Sequence, residues 1–124
     1  MAHQKPTESE LEILQFLWEQ EEATVKEIND AQNLSKKVGY TTTLKIMQIM
    51  LEKGLLDRRE SGRSHIYFPA IKKENTQKDL IERFVDTAFS GSAMSMVMSA
   101  LGNHKASKEE LKAIKELIHK LEKE

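Results

Sequence analysis

The sequence has no cysteine, so disulfides, thiolate metal sites and a cysteine nucleophile are excluded. With two prolines and five glycines in 124 residues, it also lacks the composition of a turn-rich all-β fold or of a disordered chain. No apolar run approaches the roughly 20 residues that a membrane-spanning helix needs. The start, MAHQKPTESE, has no signal-peptide pattern. These two absences give the expectation of a cytoplasmic chain without membrane insertion. An excess of one charge sign is missing as well, since 19 Lys+Arg stand against 20 Asp+Glu for a net charge of -1. Taken in bulk, that balance argues against a polyanionic partner. The length allows one small core, or two very small ones that support each other.

The placement of the charges says more than their total. Residues 1–32 carry two basic and eight acidic groups, a balance of -6. Residues 33–71 carry seven basic groups (Lys36, Lys37, Lys45, Lys53, Arg58, Arg59, Arg63) and three acidic ones, a balance of +4. Residues 72–124 come to +1. A basic middle behind an acidic start is the pattern of a polyanion site, although an ordinary solvated surface has mixed charge too.

Periodicity and capping signals divide the chain into elements. Thr7 with Glu10, Thr24 with Glu27 and Ser107 with Glu110 each have capping-box spacing, in which side chain and backbone N–H satisfy one another. The first predicted helix runs from about 8 to 19 on Leu11, Leu14, Leu17 and Trp18, with Trp18 placed in the core. A short second helix carries Val25, Ile28 and Ala31, and NLSKKVG (33–39) reads as a turn. A third helix fits 41–53 and stops at Gly54, which suits the left-handed position after a helix. Leu55–Glu60 and His65–Phe68 read as strands around a four-residue loop, Ser61–Ser64, and Pro69 ends the second strand because it lacks a ladder donor. Helix, helix, helix, hairpin is the order of a winged helix-turn-helix, in which a minimal β-contribution near Ala23 is expected. Three further amphipathic helices follow over about 74–89, 93–101 and 108–121. The fold class is therefore mainly α, with a winged-helix domain over 1–72 and a three-helix domain over 73–124.

On a helical wheel centred on Met47, the third predicted helix turns Tyr40, Thr43, Leu44, Met50 and Leu51 toward the core. Thr41, Thr42, Lys45, Ile49 and Glu52 fall on the far side. In a helix-turn-helix the second helix of the pair presents its N-terminal residues to base edges in the major groove. Thr41, Thr42 and Lys45 stand where such contacts are made, although Thr41 would equally serve as an N-cap. Ile49 is the one apolar residue on this face, suited to a thymine methyl or simply exposed. Arg63 at the hairpin tip and Arg58 on the strand leading in suit phosphate or minor-groove contact. Lys36 and Lys37 suit phosphates, or a solvated turn. Double-stranded DNA is the partner these positions fit.

About 55 residues in three C-terminal helices have too little core to be secure alone. Their stripes comprise Phe84, Val85 and Ala88, then Met94, Val97, Met98 and Leu101, then Leu111, Ile114, Ile118 and Leu121. A second copy of the chain is the simplest cover for them, making this a dimerisation domain. Methionine-rich surfaces adapt well to contact, but the same residues would fill an ordinary intrachain core.

Catalytic signatures are lacking. His3, His65, His104 and His119 form no H-x-x-H or H-E-x-x-H pattern, and there is no G-x-S-x-G, phosphate-binding loop or G-x-G-x-x-G. The carboxylates of the first and last helices fall mainly on solvated faces. The expectation is a non-enzyme with no cofactor and no metal.

Several stretches together resemble the penicillinase-repressor (BlaI/MecI) family: TESELEILQFLWE (7–19), ATVKEI (23–28), YTTTLKIMQIMLEKGLL (40–56), GRSHIYFPA (62–70) and the C-terminal 90–121. The resemblance implies a bacterial transcriptional repressor that binds palindromic operators as a homodimer and controls a β-lactam-response regulon. It further implies induction when a membrane sensor metalloprotease signals and the repressor is cut in the fifth helix. The family's Asn-Phe cleavage position falls here at Ser99-Ala100, and Ile49 stands where relatives often place Arg. The copper-responsive branch has a cysteine-rich tail, which this chain lacks. A different class of function, a winged-helix adaptor that binds protein and not DNA, is raised by the acidic N-terminal half and by Ile49.

Overall fold

The computed structural model describes residues 5–103 and 106–124. Among these residues six helices and one hairpin follow in the order α1 (Glu8–Gln20), α2 (Val25–Gln32), α3 (Tyr40–Glu52), β1 (Leu56–Ser61), β2 (Ser64–Pro69), α4 (Lys73–Ala88), α5 (Ala93–Asn103) and α6 (Lys108–Glu122). Two compact units divide the chain, the first ending at Leu80 and the second running Ile81–Glu124.

Local chemistry sets the element ends. The three capping boxes form as their spacing predicts, with Thr7, Thr24 and Ser107 each receiving the N–H of the glutamate three residues on and that glutamate reaching back. Each such cap stabilises its helix by about 1 kcal/mol. At the end of α3, Gly54 has φ +81, the N–H of Leu55 bonds the carbonyl of Met50 at 3.0 Å and that of Gly54 bonds Leu51 at 3.2 Å. That pairing is a Schellman stop, and it turns the chain directly into β1.

The wing is tighter than the sequence suggests. Pairing runs from Leu56↔Pro69 to Ser61↔Ser64, so the connection is the two residues Gly62-Arg63 and not a four-residue loop. Gly62 has φ +63, the conformation a type II′ turn needs at its first position, and two-residue turns of this hand match the twist of the strands. The β-contribution near Ala23 is present as a single antiparallel bridge to Tyr67, with both N–H···O bonds made at 2.8 and 3.0 Å.

The core of the first unit gathers Ile13, Leu14 and Leu17 of α1, Val25 and Ile28 of α2, Met47 and Met50 of α3, and Leu55, Leu56 and Tyr67 around the wing. Trp18 is half-buried rather than central, and its indole N–H donates to the carbonyl of Ile71 at 3.1 Å, tying α1 to the chain leaving the wing. Glu10 departs from the expectation of solvated carboxylates. It is buried, and both its oxygens accept from Lys53 Nζ at 2.9 Å, so the start of α1 is fastened to the end of α3.

The second unit has almost no interior. Val85 is its one buried apolar residue among those described, while Phe84, Met94, Met98, Leu117, Ile118 and Leu121 are each more than half exposed. Phe84 and Phe89 meet edge to face at 5.4 Å. No helix among the described residues is long and apolar enough to cross a membrane.

Candidate nucleic-acid interface

The turn between α2 and α3 is knit by side-chain amides. Asn33 accepts the N–H of Val38 at 3.0 Å and donates to the carbonyls of Val38 and Asn29 at 2.8 and 2.7 Å. Asn29 donates both to Val38 O at 3.0 Å and to the Thr43 hydroxyl at 2.9 Å, and Thr43 in turn donates to Gln32 Oε1 at 2.6 Å. Each of these is a side chain that competes well for local backbone groups. Here they hold the helix pair at a fixed turn.

The predicted outer face of α3 is exposed: Thr41, Thr42, Lys45, Ile49 and Glu52 all face solvent. Thr41, Thr42 and Lys45 make no side-chain hydrogen bond or ion pair among the described residues. Gln48 joins this face and was missed by the sequence reading. It stands 100° from Met47, at the edge of the same arc, and its amide can pair bidentately with adenine. Two expectations for the start of α3 are corrected. Thr41 is not the N-cap: Gly39 holds that position with no side-chain cap, and Thr41 lies inside the first turn. Tyr40 is 51% exposed although its wheel angle points to the core. Angle fixes direction around the axis, but at the first residue of a helix the neighbouring elements do not reach far enough along the axis to cover it.

Only part of the basic middle segment is available to an outside partner. Lys53 is spent on Glu10, Arg59 on Glu22 at 2.8 Å, and Lys36 lies 3.8 Å from Glu12. All three acidic partners belong to the acidic N-terminal stretch. The two opposite balances therefore neutralise each other in part through tertiary pairing. Lys37, Lys45 and Arg63 are exposed with no ion pair among the described residues. Arg63 occupies the tip of the hairpin, the second residue of its turn.

Arg58 is organised differently. It stands opposite Tyr67 in the hairpin register, donates from Nη1 to the Tyr67 hydroxyl at 3.2 Å, and lies 5.9 Å from the centre of that ring. The ring itself is buried and anchored through the bridge to Ala23. An exposed guanidinium is thereby held on the wing at reduced cost in side-chain entropy. Exposed hydroxyls, an amide, two ammonium and two guanidinium groups suit recognition of an extended polyanion with groove-edge contacts. Among the described residues no three His, Asp or Glu side chains gather to hold a metal ion. His3 and His104 lie outside the described residues.

In the second unit, the stripe residues Phe84, Met94, Val97, Met98, Leu101, Leu111, Ile118 and Leu121 are exposed, as is Ala88. Val85 is buried within the chain and Ile114 is half-buried, so these two have less surface to offer a partner. Ser99 and Ala100 lie within α5, exposed and helical.

Comparison with known proteins gives a consistent result. A family model described as penicillinase repressor matches residues 6–120. The penicillinase repressor of Bacillus licheniformis is 25% identical over 116 residues, covering 90% of this chain and 88% of that one. Two solution structures share the fold. The monomeric form of Bacillus licheniformis BlaI in complex with the blaP half-operator has a TM-score of 0.52 at 19% identity, covering 60% of this chain and 90% of that one. The DNA-binding domain of the repressor BlaI has a TM-score of 0.52 at 20% identity, covering 60% and 93%.

Proposed function

Because the chain belongs to the penicillinase repressor family, we propose that it is a DNA-binding transcriptional repressor, not an enzyme, and that it acts in the cytoplasm as a homodimer on palindromic operators. Each winged helix engages one half-site. α3 lies in the major groove with Thr41, Thr42, Lys45 and Gln48 toward base edges, Arg63 and Arg58 of the wing take phosphates, and Lys37 adds a backbone contact. The observation that carries this reading is the exposed face of α3, whose polar side chains Thr41, Thr42 and Lys45 have no partner among the described residues, whereas Lys36, Lys53 and Arg59 are paired with carboxylates of the fold. Lys36 contributes less, because Glu12 competes for it. Family membership favours this reading over a protein-binding adaptor.

The homodimer is supported by the apolar stripes of α4, α5 and α6, which the chain itself leaves uncovered. Regulation of a β-lactam-response regulon and induction by a membrane sensor metalloprotease belong to the same proposal. For cleavage near Ser99-Ala100, the supporting fact is that α5 buries none of its residues, so opening it costs little. The bond itself is Ser-Ala, so a sensor protease acting here would have to accept small residues on both sides.

Titration of a palindromic duplex at rising salt tests the DNA-binding reading. Affinity falls steeply with salt, because neutralised phosphates release counterions. Absence of duplex binding at low salt would overturn the proposal. Lys45→Ala costs roughly 1–3 kcal/mol on the specific duplex and much less on random DNA if the ammonium reads a base. Arg58→Ala weakens both duplexes alike and lowers the salt slope by about one, as loss of a phosphate contact should.

A further inference from the structure

Three threonines in succession open α3, and the fold treats them differently. Thr41 and Thr42 face solvent, whereas Thr43 has no exposed surface. Its hydroxyl is used in both directions, accepting from Asn29 and donating to Gln32. We propose that Thr43 is a positioning residue for DNA recognition: it sets the rotation of α3 about its own axis, and so decides which side chains the reading face presents, without touching DNA itself. The inference rests on the DNA-binding reading above.

The apolar contacts of α3 are a weak guide to its rotation. Met47 and Met50 carry the buried centre, and Leu44, Ile46 and Leu51 flank it half-buried, so the apolar arc is broad and its central side chains are unbranched and adaptable. A helix with such an arc keeps most of its hydrophobic burial through a modest turn about its axis. A buried hydroxyl with two directional partners does not. Turning it away buries the Thr43 hydroxyl without its partners and leaves the half-buried Gln32 Oε1 and one Asn29 proton without theirs, each at the cost of an unmade hydrogen bond. Buried polar groups are best attested as devices that select one register among near-equivalent packings. The N-terminus of α3 has no side-chain cap on Gly39, so Thr43 is the directional anchor nearest to Thr41, Thr42 and Lys45. Asn29 links the same hydroxyl to Val38 O, so helix rotation and turn geometry are held by one amide.

The test uses the full chain. A duplex is first selected by the wild-type protein from a pool with a randomised centre, and affinity is then measured for that duplex and a scrambled version. Thr43→Val keeps the shape and loses the hydroxyl; Thr43→Ser keeps the hydroxyl. Thr43→Val lowers the ratio of selected to scrambled affinity by about tenfold while scrambled-duplex affinity holds, and Thr43→Ser restores the ratio. Gln32→Ala, which removes one partner from outside α3, lowers the ratio about threefold and gives the readout if Thr43→Val does not fold. An undiminished ratio in Thr43→Val, an equal loss on both duplexes, or an undiminished ratio in Gln32→Ala when Thr43→Val is unfolded would overturn the inference alone. A wild-type chain that enriches no duplex would overturn the DNA-binding reading and this inference with it.

Discussion

Truncation after Leu80 lowers affinity for a two-half-site operator by roughly 10²- to 10⁴-fold, while affinity for a single half-site stays near that of the full chain. The first unit holds its own core of Ile13, Leu14, Leu17, Ile28, Met47 and Tyr67, so it folds without the rest. On the proposed homodimer, what it loses is the link to a second reading head. Once one head is bound, a tethered second head finds its half-site at high effective concentration, and that gain vanishes with the tether. The near-neutral total charge makes the effect larger, because each head has few unpaired cations with which to hold DNA non-specifically. Sedimentation of the two chains, together with titrations on one and two half-sites, measures both parts. Ile118→Asp with Leu121→Asp in the full chain should copy the truncation, since both are about half exposed on α6 and would place charges on the surface assigned to dimerisation. A dimeric 1–80 fragment would move the dimer contact to the first unit.

Lys53→Met destabilises the first unit by about 3 kcal/mol. Glu10 is 3% exposed, and apart from Lys53 its carboxylate keeps, among the described residues, only the Thr7 N–H at 2.9 Å. Removing the ammonium leaves a buried charge nearly without compensation, the costly way to break such a pair. The reverse change is milder. Lys53 retains 20% of its side-chain exposure, so in Glu10→Gln its ammonium can swing to water, and the loss is about 1 kcal/mol. The asymmetry separates a buried ion pair from a surface one, where both changes would be small. For a unit of this size the larger loss lowers the melting temperature by roughly 12–24 °C. Trp18, the only tryptophan, lies in α1 packed against the core of the same unit and reports the transition by fluorescence. Equal and small shifts in the two variants would show that the pair is dispensable.

Most of the candidate site was legible in the chain because it depends on local rules. Helical period placed Thr41, Thr42 and Lys45 on the outer face of α3, and they are there. Capping spacing placed the starts of α1, α2 and α6, since the groups involved lie three residues apart. Gly54 marked the end of α3 because few other residues accept its backbone conformation. The failures share a different property. The angle of Tyr40 points to the core and that of Gln48 to the margin of the reading face, yet both are exposed, because burial depends on how far neighbouring elements extend. The loop at the wing tip closed to two residues because Ser61 and Ser64 pair with each other, which a propensity scale cannot report.

The sequence by itself determined the order of elements, the faces of the helices and the charge imbalance between segments. These follow from period, capping chemistry and composition, all of which act within a few residues. Only the tertiary structure decided which charges remain for DNA. Lys53 and Arg59 meet Glu10 and Glu22 across 43 and 37 residues, and Arg58 meets Tyr67 across the hairpin. The same holds for Thr43, whose hydroxyl is joined to Asn29 and Gln32 through the turn. The two threonines that precede it, Thr41 and Thr42, have the same chemistry and a different fate. Which partner a polar group finds depends on where the packed helices bring the chain together, and no local pattern encodes that distance.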